Sequence, residues 1–272
     1  MDEETAGDGS GDDIDGVDDV ERVLGDRFLL GRSGFSSGSD IYERARPGYT
    51  AESVAGLVDG LGIRPGSRVL DVAAGTGKLT RSLAAMGAAC VAVEPSASMR
   101  ASFASVLPDV PQLGADAERL PVADGSFDAV TVAQAFHGFD LAVALAEFAR
   151  VLRPGGGLGL IWNERDESDP LVAELTRISK WEEHQPYPMG RDFGAIVDRI
   201  GGFGPVTRTR YRFDQPLDRT AFVEQVASRS YITVLPDARR RAILDDVAAL
   251  AARLDEPIHL PYLVDLFCMR VG

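Results

Sequence analysis

The chain is poor in cysteine, in lysine and in long apolar runs. Only Cys90 and Cys268 occur among 272 residues. Two thiols make neither a disulfide framework nor a four-ligand zinc site. Both lie in apolar stretches, so we read them as buried free thiols. No cluster of His, Cys, Asp and Glu has metal-ligand spacing, and no metal is expected. No apolar run reaches the roughly 18–20 residues of a bilayer span. The acidic N-terminus lacks the apolar core of a secretory signal. These absences predict a soluble, cytoplasmic protein with no membrane partner. Lysine is confined to Lys78 and Lys180, every other base being arginine, which points to nucleotide composition rather than to function.

Basic charge is scarce as well. The net charge is −14, but it is unevenly placed. Residues 1–26 carry eleven acids against Arg22, a charge of −10, which leaves −4 for residues 27–272. A tail rich in Asp, Gly and Ser buries too little apolar area to offset its ordering entropy, and is expected to be disordered. A body without basic excess is not held to phosphate backbones, which argues against a nucleic-acid partner. With 45% apolar and 26% charged residues, residues 27–272 read as one globular domain.

From about residue 50 short apolar runs alternate with helical periods. Helices are expected over Ala51–Gly60 (Thr50 as N-cap), Lys78–Met86, Ser96–Val106 and Leu141–Leu152. Strands are expected over Ser67–Val72, Ala89–Val93, Gln112–Gly114, Phe127–Ala133 and Gly157–Trp162. Nearly continuous apolar strands separated by helices mean parallel strands covered on both faces. The fold class is therefore α/β, a doubly wound, Rossmann-like, mostly parallel sheet. Its ligand crevice lies at the carboxyl ends of the strands. Farther on, Leu171–His184, Asp192–Ile200, Arg219–Ser228 and Pro236–Leu254 read as helices. Pro205–Phe213 reads as a strand, and His259–Met269 as a final strand running antiparallel at the sheet edge. Residues 27–50 form a cap over the crevice, 51–165 the ligand-binding core, and 166–272 the acceptor side.

The stretch Val69-Leu70-Asp71-Val72-Ala73-Ala74-Gly75-Thr76-Gly77-Lys78-Leu79-Thr80 runs from strand through small residues into helix. Small residues admit a ligand close to the backbone, and the helix start supplies free N–H groups. A P-loop is excluded, because Leu79 follows Gly77-Lys78 and Val72 stands where its first glycine belongs. A dinucleotide loop is weakened, because Thr80 takes the place of the third glycine.

These residues resemble the first motif of the class I S-adenosylmethionine-dependent methyltransferases, an acid followed by small residues at alternate positions: Asp71, Ala73, Gly75 and Gly77. Ala73 departs from the family's usual glycine. The resemblance continues in order through Val93-Glu94-Pro95-Ser96, Ala115-Asp116-Ala117-Glu118, Leu120-Pro121 with Gly125-Ser126-Phe127-Asp128, Ala133-Gln134-Ala135-Phe136-His137, and Arg150-Val151-Leu152-Arg153-Pro154-Gly155-Gly156. It implies S-adenosylmethionine (SAM) as cofactor, held by Asp71, Ala73, Gly75, Thr76 and Gly77 in the loop. Glu94 and Pro95 would serve the ribose, Asp116 and Ala117 the adenine, and Gln134 the methionine end. Met99 is either an adenine contact or helix core. Ser39–Tyr49 resembles a cap segment of small-molecule members, where Tyr42 and Arg46 would either reach the SAM carboxylate or only brace the cap.

A small-molecule acceptor is implied, with O-methylation first. No Asn-Pro-Pro-Tyr type sequence follows the fourth strand, which disfavours amino-group methylation of adenine or glutamine. His137 is either a general base or a polar lining residue. Trp162, Asn163, Trp181 and Tyr231 are candidates for the acceptor pocket, Trp181 and Tyr231 equally for the core. Two alternatives stay open: a SAM-binding protein that does not transfer methyl, and a NAD-dependent oxidoreductase.

Overall fold

The computed structural model describes residues 46–179 and 192–272. The acidic segment, most of the expected cap, Tyr42 and Trp181 lie outside the described residues. The sheet has seven strands among the described residues, in the order β3-β2-β1-β4-β5-β7-β6. They are β1 (Arg68–Val72), β2 (Ala89–Val93), β3 (Gln112–Leu113), β4 (Phe127–Ala133), β5 (Leu152–Arg165), β6 (Thr207–Leu217) and β7 (Ile258–Arg270). The first five pair in parallel; β7 is antiparallel to both β5 and β6. Chain order reverses between β1 and β4, so their carboxyl ends border the crevice where ligands bind in such sheets.

Helices cover both faces. On one lie α1 (Ala51–Leu61) and α2 (Lys78–Ala85), with Leu57, Leu79 and Leu83 buried against Val69, Cys90, Ile161 and Leu266. Thr50 caps α1 by accepting the Ser53 N–H at 3.1 Å. After α3 (Ala97–Val106), α4 (Leu141–Val151) packs Leu145 and Phe148 on the opposite face against Val130, Leu158 and Leu160. α5 (Pro170–Ser179) precedes α6 (Phe193–Ile200), which joins the α4 face through Phe193 and Val197. Then α7 (Arg219–Ala227), α8 (Ser230–Thr233) and α9 (Asp237–Ala251) enclose a further core with α5, in which Val172, Phe222, Val247 and Tyr262 are buried.

Two strands differ from the sequence expectation. The antiparallel edge comprises two strands, and His259–Met269 does not itself form the rim. β7 sits between β5 and β6, and β6 is outermost. Burial explains this placing. β7 is covered along most of its length, whereas β6 alternates and turns its charges outward. Arg208 and Arg210 clasp the buried Asp265 of β7 at 2.9 and 2.6 Å, and Arg212 meets Asp166 at 3.1 Å. A row of charges along a rim strand discourages pairing with another chain. β5 is also longer than expected. Pairing shifts from Phe127↔Leu152 to Ala129↔Gly157, so Arg153–Gly156 bulges out of the ladder and the strand continues to Arg165. Both thiols are buried and free, and burial pushes Cys90 up to about 12 and Cys268 to about 11.

Candidate functional site

The loop after β1 holds its shape through backbone conformations that side chains disfavour. Gly75 and Gly77 have φ of 57° and 88°, and Ala73 has φ of 53°. The two glycines differ in what surrounds them. A Cβ on Gly77 would come within 2.9 Å of Phe103 and Leu107, so Gly77 is the seat of α3 against the loop. Among the described residues a Cβ on Gly75 would meet nothing within 4 Å, as a ligand-approach surface requires.

Glu94, at the end of β2, faces this loop and is 8% exposed. Its Oε2 accepts the Gly75 N–H at 3.0 Å and its Oε1 the Ser96 N–H at 2.8 Å. The carboxylate thus joins the tips of β1 and β2. Ser96 caps α3 by accepting the Met99 N–H, and Met99 is buried. Past β3, Asp116 is exposed and Ala117 is buried beneath it.

Asp71 lies one step below the tip of β1 and is 1% exposed. Its Oδ2 accepts from the Thr80 hydroxyl of α2 at 2.5 Å, and its Oδ1 from the Thr131 hydroxyl of β4 at 2.9 Å. Burial raises the carboxyl to about 6, against the pull of these hydrogen bonds. Asp71 therefore ties the glycine-loop helix to the sheet. Sequence reasoning missed Thr80 and Thr131 as partners, although Thr80 is the very residue that breaks the dinucleotide pattern.

On the other side of the switch point, Gln134 follows β4 with φ of 62°. Ala73 and Gln134 are the positive-φ residues other than glycine among those described. Both stand at carboxyl ends of neighbouring strands, and strain of this kind collects at functional sites. Gln134 donates from its backbone N–H to Ile161 O at 3.2 Å and from Nε2 to Asn163 O at 3.1 Å. Next comes a turn of 3-10 helix, Phe136–Gly138, with His137 edge-on to Trp162 at 5.1 Å between ring centres. Trp162 is buried against Phe193 at 4.9 Å. Tyr231 is buried with Phe222, Val226 and Ile232.

Residues 46–48, the described part of the expected cap, strap these parts together. Arg46 donates through Nε to Ser228 Oγ at 3.2 Å, and its carbonyl accepts from Lys78 Nζ at 3.0 Å. Gly48 O accepts from Asn163 Nδ2 at 3.0 Å. The start of α2, the end of β5 and the end of α7 thus converge around one short segment. Among the described residues no group of His, Cys, Asp and Glu could hold a metal, and no helix is long and apolar enough to cross a membrane.

Known proteins resemble the chain in sequence and in fold. A family model described as a methyltransferase domain matches residues 70–160. An uncharacterised methyltransferase of Mycobacterium tuberculosis is 41% identical over 221 residues, 80% of this chain and 85% of the relative. A demethylmenaquinone methyltransferase of Beutenbergia cavernae is 42% identical over 149 residues, covering 54% of this chain and 56% of its own. In fold, the chain is similar to a putative methyltransferase from an antibiotic biosynthesis pathway of Anabaena variabilis. That likeness has a TM-score of 0.63 at 21% identity and covers 81% of this chain and 98% of that one.

Proposed function

The chain belongs to the class I S-adenosylmethionine-dependent methyltransferases, and on that footing we propose that it methylates a small-molecule acceptor, at oxygen. The observation that carries the reading of the site is the Glu94 clasp on Gly75, where a Cβ would meet nothing within 4 Å among the described residues. Bound there, SAM supplies a methyl group already activated by positive sulphur, so the protein contributes mainly alignment.

Ala73, Gly75, Thr76 and Gly77 let the ligand approach the backbone. Glu94 and Pro95 hold the ribose, its vicinal hydroxyls donating to the carboxylate. Asp116 and Ala117 take the adenine edge, with Met99 packed beneath. Gln134 turns toward the methionine end, and Arg46 toward its carboxylate. Asp71 acts through position, holding α2 to β1 and β4. The acceptor lies between the strap and the end of β5, against Trp162, Asn163 and Tyr231. His137 stands at its edge as the candidate base.

A second reading, a quinone acceptor, is favoured by the relative from Beutenbergia cavernae. The decisive experiment is incubation with methyl-labelled SAM and a metabolite panel that includes quinones. Labelled product with release of S-adenosylhomocysteine supports methyl transfer, and the labelled atom identifies the acceptor class. Tight SAM binding without turnover on any acceptor favours the non-methylating alternative. No binding of SAM overturns the assignment of the site.

A further inference from the structure

Asn163 lies on β5 opposite Val264 of β7, sharing a strand face with Ile161 and Arg165. It is held on two sides. Its Nδ2 donates to Gly48 O at 3.0 Å. Its main-chain carbonyl accepts from Gln134 Nε2 at 3.1 Å. Gln134 itself is kept in a left-handed conformation with φ of 62°. The amide cannot turn over without giving up the strap. Asn163 Oδ1 is nevertheless buried and accepts from no group among the described residues, in a residue 8% exposed. Buried polar atoms in native proteins nearly always find a partner, and an exception calls for a reason.

The position supplies one. Asn163 stands at the carboxyl ends of β4 and β5, across the switch point from the glycine loop of β1. A donor seated on that loop would present its methyl toward this side. A fixed amide oxygen can only accept a hydrogen bond, and at neutral pH it takes up no proton.

We propose that Asn163 is the specificity-determining residue of the acceptor site, its Oδ1 accepting the X–H bond of a neutral alcohol, phenol or amine. This rests on the methyltransferase reading of the crevice. It selects acceptors that carry a hydrogen-bond donor on the atom to be methylated, because only these fill the vacant oxygen. Thiols, whose S–H is a weak donor, and carbon nucleophiles do not fill it. Asn163 orients that bond; with SAM bound, the acceptor lone pair would form the new bond to the methyl carbon as the sulphur–methyl bond breaks, S-adenosylhomocysteine would leave, and the X–H proton would pass to the candidate base His137 or to solvent.

The test uses the full chain, methyl-labelled SAM, and matched probes differing only in the reacting group: p-cresol, p-toluidine and p-thiocresol, and hexanol, hexylamine and hexanethiol. The expected result is label in the alcohol, phenol or amine probes. N163A should lower that labelling at least tenfold. N163D, which keeps an acceptor oxygen but cannot donate to Gly48 O, should lower it clearly less. A merely structural role in pinning the strap predicts the reverse, N163D being as damaged as N163A or more so. Melting temperatures of both variants identify any that fails to fold. Preferential labelling of thiols, equal damage in the two variants, or no label in any alcohol or amine overturns the proposal. Calorimetric SAM binding by the wild type separates the two failures: binding kept confines the fault to Asn163, and binding absent indicts the methyltransferase reading of the site.

Discussion

Glu94 Oε2 and the Gly75 N–H meet at 3.0 Å across nineteen residues of sequence, joining the tips of β2 and β1. This bond, with the second one to Ser96 N–H, gives the carboxylate two roles that can be separated. Glu94→Ala should weaken SAM binding by about 1–3 kcal/mol, and Glu94→Gln by less. Titration calorimetry checks this, and an unchanged dissociation constant would show that Glu94 does not touch the ligand. Urea denaturation of the Ala variant should also show lost stability, because two backbone donors lose their acceptor.

Asp71 predicts a pH dependence. Its carboxyl, at 3.8 in the unfolded chain, rises to about 6 in the fold through burial. Between those values the native state keeps a proton that the unfolded chain has released. Stability contributed by Asp71 is therefore full below about pH 4 and falls as pH rises to about 6, by on the order of 3 kcal/mol. Asp71→Asn removes this slope. The check is the difference in urea midpoint between wild type and variant across pH 4–7, in which the other carboxyl groups cancel. A difference that stays constant with pH would refute the raised value.

Gly75→Ala and Gly77→Ala should fail differently. Both need a left-handed backbone, which costs an L-residue roughly 1–2 kcal/mol. Only at Gly77 would the new methyl also press on Phe103 and Leu107, so Gly77→Ala should lose more, about 3 kcal/mol in all. Gly75→Ala should lose less stability but more SAM affinity. Melting curves and calorimetry on the two variants separate the outcomes.

Ala73 carries the same conformational cost in the wild-type chain, at φ of 53°. Ala73→Gly should raise stability by about 0.5–1 kcal/mol, the relief of strain exceeding the extra entropy of glycine in the unfolded chain. A lower melting temperature would mean that the Ala73 methyl makes a packing contact worth more than the strain.

His137→Ala tests the base. If the imidazole takes the acceptor proton, the variant should lose about 10²–10⁴-fold in kcat together with the acid limb of the pH–rate profile. A changed KM with an intact profile would leave His137 as a lining residue.

The sequence by itself determined the class of the sheet, the run of its first five strands and the place of the crevice. These follow from local signals: apolar runs of strand length, amphipathic helices between them, and a small-residue loop after β1. It also marked the loop residues and Glu94 as candidates, because close backbone approach and hydroxyl recognition would each need a narrow choice of residue. It could not order β5, β7 and β6, since both late strands read as apolar or alternating runs with no statement of their neighbours. Nor could it pair Asp71 with Thr131, sixty residues on, or Gly48 with Asn163, a hundred and fifteen on. Only the tertiary structure decided those, because a polar partner far along the chain is chosen by which strand ends the fold brings side by side. The unfilled oxygen of Asn163 exists for the same reason: two distant segments, at Gly48 and Gln134, hold the residue in place, and neither alone reveals what it lacks.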